Sequence, residues 1–193
     1  MSGATASTDR APDHRTLFPF PLSSDPALAL NARARREGWS VHCDTQLVFD
    51  TKPLNEMVET WGRLCRPGRL PARADFTARL LKPCLRYATV LEIVNAGDRR
   101  RYRHRYVGSA VVERMGELTG VFLDEFLPSA LYEKSSNYFD ACVDHRCPIR
   151  VVTDFQLRTV DHTRAEGFVV PLADDGVTPN MILSIAYFSE RPR

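Results

Sequence analysis

No apolar run in this sequence approaches the roughly 20 residues that a bilayer-crossing helix requires, so no spanning segment is expected and the protein should be soluble. The five cysteines, Cys43, Cys65, Cys84, Cys142 and Cys147, are an odd set without a CxxC pair, and no secretory apolar stretch stands at the start. Reduced thiols in a cytoplasm are therefore expected rather than a disulfide framework. Excess charge of one sign is missing too: 26 basic and 24 acidic side chains leave a formal charge of +2. That is too little to draw the whole chain to nucleic acid or an acidic membrane, so any basic effect must be local. There is no GxSxG elbow, HExxH helix, phosphate loop or dinucleotide fingerprint, and the carboxylates show no acid–base spacing. No catalytic residue is assigned, and an enzyme of unknown class is the remotest reading. Internal repeats are absent as well.

What is present centres on residues 85–120. Thr89, Val90, Ile93 and Val94 make a β-branched run that the turn signal Asn95-Ala96-Gly97-Asp98 ends, which predicts a hairpin. In the return strand Tyr102, His104, Tyr106 and Gly108 share one parity, and Arg101, Arg103 and Arg105 the other. Successive strand side chains point to opposite faces, so one aromatic and one basic face are expected. Ser109 is placed to cap a short helix, Ala110 to Met115, which Gly116 ends in the left-handed conformation.

Upstream, residues 1–27 mix Ser, Thr, Ala and Pro, and Pro19 and Pro21 break the only apolar cluster, so a flexible tail without a packed element is expected. Asp9 and Asp13 argue against a transit peptide. Residues 28–51 form an extension of uncertain structure: a helix from Pro26 to Glu37 ends at Gly38, and Trp39 to Phe49 has no assignable pattern. From Lys52 to Arg66, Leu54, Met57, Val58, Trp61, Leu64 and Cys65 recur at three- and four-residue intervals, with Thr51 as cap and Pro67-Gly68 as stop. This predicts an amphipathic helix. A shorter one, Phe76 to Leu81, has Asp75 as its cap and Pro83 as its end.

Downstream, Ser129 caps a helix to about His145 that carries Leu131, Tyr132, Ser135, Tyr138, Phe139, Cys142 and Val143 on one face. Three strand-like runs follow: Arg150 to Arg158, Glu166 to Leu172 and Met181 to Ser189. The order is two strands, helices, three strands. Short turns make the last strands antiparallel neighbours, and the intervening helices must cross a face of the sheet. At 193 residues, 44% of them apolar, one substantial core is affordable.

That order, together with the helix bearing Trp61, Gly68-Arg69-Leu70-Pro71-Ala72-Arg73, the strand end Tyr102 to Ser109, Glu117-Leu118-Thr119-Gly120 and Val170-Pro171-Leu172 before Asp175-Gly176, resembles the PAS sensor fold, and specifically a stand-alone bacterial PAS-like family. The resemblance implies an α+β domain over residues 52–189. It would be a five-stranded antiparallel sheet with helices crossing one face, preceded by an N-terminal helical extension. It also implies a small-molecule cavity and a sensing or protein-interaction (adaptor) role in bacterial signalling rather than catalysis. It names no cofactor. The Asn-Cys-Arg-Phe type of motif of flavin-binding photosensor relatives is missing, which argues against photochemistry.

Tyr102, His104 and Tyr106, with Tyr138 and Phe139 of the later helix, are the pocket candidates; plain core packing is the competing reading for each alone. Arg99, Arg100, Arg101, Arg103 and Arg105 are dense enough to bind phosphates. A solvated or edge-protecting face is the preferred reading, which leaves nucleic-acid binding through the Arg99–Arg105 strand as the alternative. Leu54, Met57, Val58 and Trp61 are candidates for a homodimer interface, with intramolecular cover of the sheet as the other possibility. A signalling protein partner is expected. His145, near Cys142 and Cys147, is read as complementing a helix dipole rather than holding a haem or metal; no metal site is assigned.

Overall fold

The computed structural model describes residues 14–155 and 163–190. In chain order these form helix α1 (Pro26–Glu37), strand β1 (Val41–Asp44), helices α2 (Lys52–Leu64) and α3 (Ala78–Leu81), strands β2 (Ala88–Ala96) and β3 (Arg99–Val107), helices α4 (Ser109–Met115), α5 (Leu123–Phe126) and α6 (Ser129–Asp144), and strands β4 (Ile149–Phe155), β5 (Thr163–Leu172) and β6 (Met181–Glu190). The strands make one antiparallel sheet in the order β1-β4-β5-β6-β2-β3. The fold is α+β, and β2–β6 with the α4–α6 crossover reproduce the expected order of elements. Residues 156–158, the end of one expected strand, lie outside the described residues, as do residues 1–13 of the expected tail.

Three expectations need correction. The sheet has six strands rather than five, because β1, inside the unassigned stretch, pairs with β4 from Val41↔Thr153 to Asp44↔Arg150. Four residues are too few to show a period of two. The helices cover both faces rather than one. Phe168, Val170 and Leu172 of β5 belong to a core with α2, whereas Val169 belongs to a core with α1 and α6, so β5 is a run buried on both sides. The stretch before residue 27 is not devoid of packed structure. A 3-10 turn spans His14–Leu17, Phe18 meets Trp61 edge-on with ring centroids 6.2 Å apart, and Leu17 lies so close over Gly62 that a Cβ there would fall 2.8 Å from it.

The α2 stripe is spent inside its own chain. Leu54, Met57, Val58 and Trp61 are at most 2% exposed, packed with Phe168, Val170 and Ile185 of the sheet. The four dimer-interface candidates are thus buried against their own sheet, and a second copy could reach them only if α2 left it. Thr51 holds the N-cap position of α2 without a side-chain bond. Glu166 of β5 instead accepts from the backbone N–H groups of Asp50 and Thr51 at 3.1 and 2.9 Å, while Arg150 of β4 joins it at 2.7 Å and reaches Asp44 of β1 at 3.0 Å. Burial alone would raise the Glu166 carboxyl, but the bonds from Thr51, Arg150 and Asp50 hold it below its ordinary value. Three other caps differ. At α6 the cap position falls to Pro128, which makes Ser129 the first residue of that helix rather than its cap. Thr77, not Asp75, accepts from Leu80 at the start of α3, and Ser109 is the first residue of α4 rather than its cap, that position falling to Gly108.

In the β2–β3 hairpin, Val90 pairs with Tyr106 but Leu91 pairs with His104. Arg105 is thus an extra residue, a β-bulge, and every side chain beyond it changes face. Tyr102 and His104 keep the expected common face. Tyr106 crosses to the α2 side, where its hydroxyl donates to the Leu85 carbonyl at 3.2 Å.

Candidate ligand cavity

Between the α6 side of the sheet and the α4–α5 segment lies a cavity of about 150 Å³. Its floor includes Thr89 and Leu91 of β2, His104 of β3, Ala165 of β5 and Ser184 of β6; its roof includes Val111 and Met115 of α4, Leu118, Leu123 of α5, and Lys134, Tyr138 and Phe139 of α6. The wall is mainly apolar with a few polar groups from separate elements, the usual make-up of a small-molecule site. The volume equals that of an apolar cavity able to admit one benzene ring. None of the lining residues is a cysteine.

Of the five pocket candidates, His104, Tyr138 and Phe139 line the cavity and Tyr102 and Tyr106 do not. Tyr102 is fully buried beneath Phe139, ring centroids 5.3 Å apart, and its hydroxyl donates to Asp140 Oδ1 at 2.5 Å. Burial first, and that bond second, push its phenol far above the ordinary value. It ties β3 to α6 without lining the cavity, and the bulge turns Tyr106 to the other face. Burial likewise raises the Tyr138 phenol to about 12, although a bond with Ser135 acts against the rise.

His104 is 4% exposed, and its Nδ1 lies 2.7 Å from the Val121 carbonyl oxygen. Only a protonated Nδ1 can make that bond, so neutral imidazole presents Nε2 as a lone pair. Burial lowers the pKa of this ring, partly opposed by the Val121 bond. In the unfolded chain the ring takes up its proton first, so the stability it confers is complete above pH ~6.5 and is lost as pH falls through the lower folded value. Thermal melts between about pH 7.5 and about pH 5.5 should therefore show a flatter loss of stability for His104→Asn than for wild type.

Lys134 was not among the candidates. The sequence does carry a signal for it: it stands three residues after Leu131 and four before Tyr138, on the inward stripe of α6. It is 6% exposed, and its Nζ crosses to β4 to donate to the Asp154 carbonyl at 2.9 Å.

The arginine strand lies at the sheet edge, and Gly120–Phe122 partly close it: the His104 N–H donates to the Val121 carbonyl at 3.1 Å, the Gly120 N–H donates to the His104 carbonyl at 2.8 Å, and Arg103 bridges Phe122. Each arginine of the run has a carboxylate within reach. Arg101 meets Asp124 and Glu125 at 2.8 Å, Arg100 meets Asp144 at 2.6 Å, Arg103 meets Glu92 at 2.5 Å, and Arg99 and Arg105 reach Asp124 and Glu92 at 4.0 Å. The run is edge-protecting but charge-compensated, not simply solvated. Arg101 also lies over the Phe122 ring, 3.8 Å from its centroid. Arg101→Gln should therefore lower the thermal midpoint by a few degrees by loosening α5, whereas Arg105→Gln, at the exposed end, should leave it unchanged; a melt of each variant decides.

His145 closes α6, its N–H bonded to Ala141 and Val143 carbonyls. Cys142 and Cys147 are fully buried, and burial raises both thiols, Cys147 to about 12. Among the described residues no helix is long and apolar enough to cross a membrane.

No protein-family model matches the chain, and no curated protein matches it. Among solved structures, one described as an RNA-binding light-oxygen-voltage receptor is similar at 12% identity and a TM-score of 0.40, over 72% of this chain and 44% of that one. The chain thus corresponds to less than half of that receptor's length.

Proposed function

We propose that the chain is a small-molecule-binding module of sensory or adaptor type, with its ligand seated in the cavity between the sheet and the α4–α6 crossover. The observation that carries this reading is the cavity itself: apolar walls from both layers, with His104 and Lys134 brought in from β3 and α6. A domain of this size has no packing need for a buried lysine beside a void, since burying its charge is unfavourable. The α4–α5 segment both roofs the cavity and bonds to the edge of β3. Ligand occupancy would change how firmly that segment is held, and this is the surface through which a protein partner would read the state. The module binds rather than catalyses. Nucleic-acid binding by the arginine strand is less favoured, because its guanidinium groups are already matched by Glu92, Asp124, Glu125, Asp140 and Asp144.

Thermal melts with benzoate, phenol and benzyl alcohol test the reading. A probe at ~100 times its dissociation constant adds about 2.7 kcal/mol, a shift of several degrees. Ala165→Leu, which fills the cavity from β5, should abolish the shift while keeping the wild-type circular dichroism spectrum. Probes that stabilise both proteins equally bind elsewhere and would refute the assignment.

A further inference from the structure

We propose that the ligand is a single-ring monocarboxylate held by an ion pair with Lys134; this deepens the cavity reading and rests on it. The Lys134 ammonium has three N–H donors, and the Asp154 carbonyl at 2.9 Å takes one. Among the described residues it has no second acceptor and no carboxylate within ion-pair distance. The Asp154 side chain does not fill the gap: its Oδ2 accepts from Ser40 at 2.9 Å, and its buried Oδ1 has no partner among the described residues. Burial draws the Lys134 amine below its ordinary value, and the Asp154 charge only partly restores it. A cation removed from water is strongly disfavoured unless an opposite charge and acceptors meet it. A carboxylate entering the cavity brings both.

The rest of the wall limits the body that carries this group. Leu91, Leu118, Leu123 and Phe126 offer only apolar contact, and about 150 Å³ admits one ring. His104 limits the charge. With Nδ1–H given to Val121, its Nε2 offers a lone pair and has no partner among the described residues; that lone pair repels a second carboxylate but accepts from a ring hydroxyl.

Calorimetric titration of the full chain with benzoate and with benzyl alcohol, for wild type and Lys134→Met, decides the matter. Wild type should bind benzoate at least about ten-fold more tightly than the alcohol, and Lys134→Met should lose that preference while still binding the alcohol. Should Lys134→Met fail to fold, Lys134→Gln keeps a donor for the Asp154 carbonyl, and the same loss is expected. Equal binding of both probes by wild type, unchanged in the variant, overturns the anion assignment and leaves the cavity reading standing. Binding of neither probe by either protein overturns both.

Discussion

Trp61→Ala is expected to cost about 3–5 kcal/mol of folding stability, the largest loss from truncating any single side chain of α2. Trp61 is fully buried, with Phe18 against its edge and sheet residues beneath it, and removing the indole leaves a cavity that rigid sheet and helix cannot close. Its Nε1–H has no partner among the described residues. Trp61→Phe removes that buried donor together with part of the ring, so the two effects oppose each other and the cost should stay under ~1.5 kcal/mol. Urea denaturation measures both, and the midpoints should not depend on protein concentration. A concentration-dependent midpoint, with Trp61→Ala folded but dissociated, would instead make the α2 stripe a dimer face.

Gly108→Ala should be nearly as damaging, at ~3 kcal/mol or more, although it adds only one methyl group. Gly108 follows β3, donates its N–H to the Ala88 carbonyl at 2.8 Å and holds the cap position of α4. A Cβ there would sit 2.5 Å from the Leu85 carbonyl oxygen and closer still to that of Arg86. Backbone atoms cannot rotate away as a side chain can, so the Leu85–Tyr87 turn and the entry to α4 must separate. Because α4 roofs the cavity, the variant should also lose probe binding. An Ala variant with wild-type stability by urea denaturation would contradict this close approach.

Much of the fold was legible because its signals are local. Gly38, at φ +66°, ends α1 where the sequence places the stop, and the turn at Gly97 with β-branched flanks locates the hairpin. The α2 period located a helix but could not say whose surface it covers, since an amphipathic stripe looks the same against a sheet or a second chain. Tyr106 shows the limit of parity. Alternation places it beside His104, and the bulge at Arg105, which leaves no mark in the pattern of residue types, turns it to the other face. Part of the site was therefore visible in advance: His104, Tyr138 and Phe139 follow from strand parity and helix period. Lys134 did not, because a lysine on an inward stripe reads as a surface residue until the Asp154 carbonyl and the void beside it are known.

The central claim is that the cavity on the α6 side of the sheet takes up a single-ring ligand. Methyl-labelled protein titrated with benzoate, and separately with benzyl alcohol, tests it most directly by NMR. The methyl resonances of Leu91, Val111, Leu118 and Leu123, which line the cavity, should shift in a saturable way with at least one probe. Those of Leu54, Val58 and Leu172, in the core on the opposite face, should not move. Shifts absent from the first set, or equal in both sets, would contradict the account.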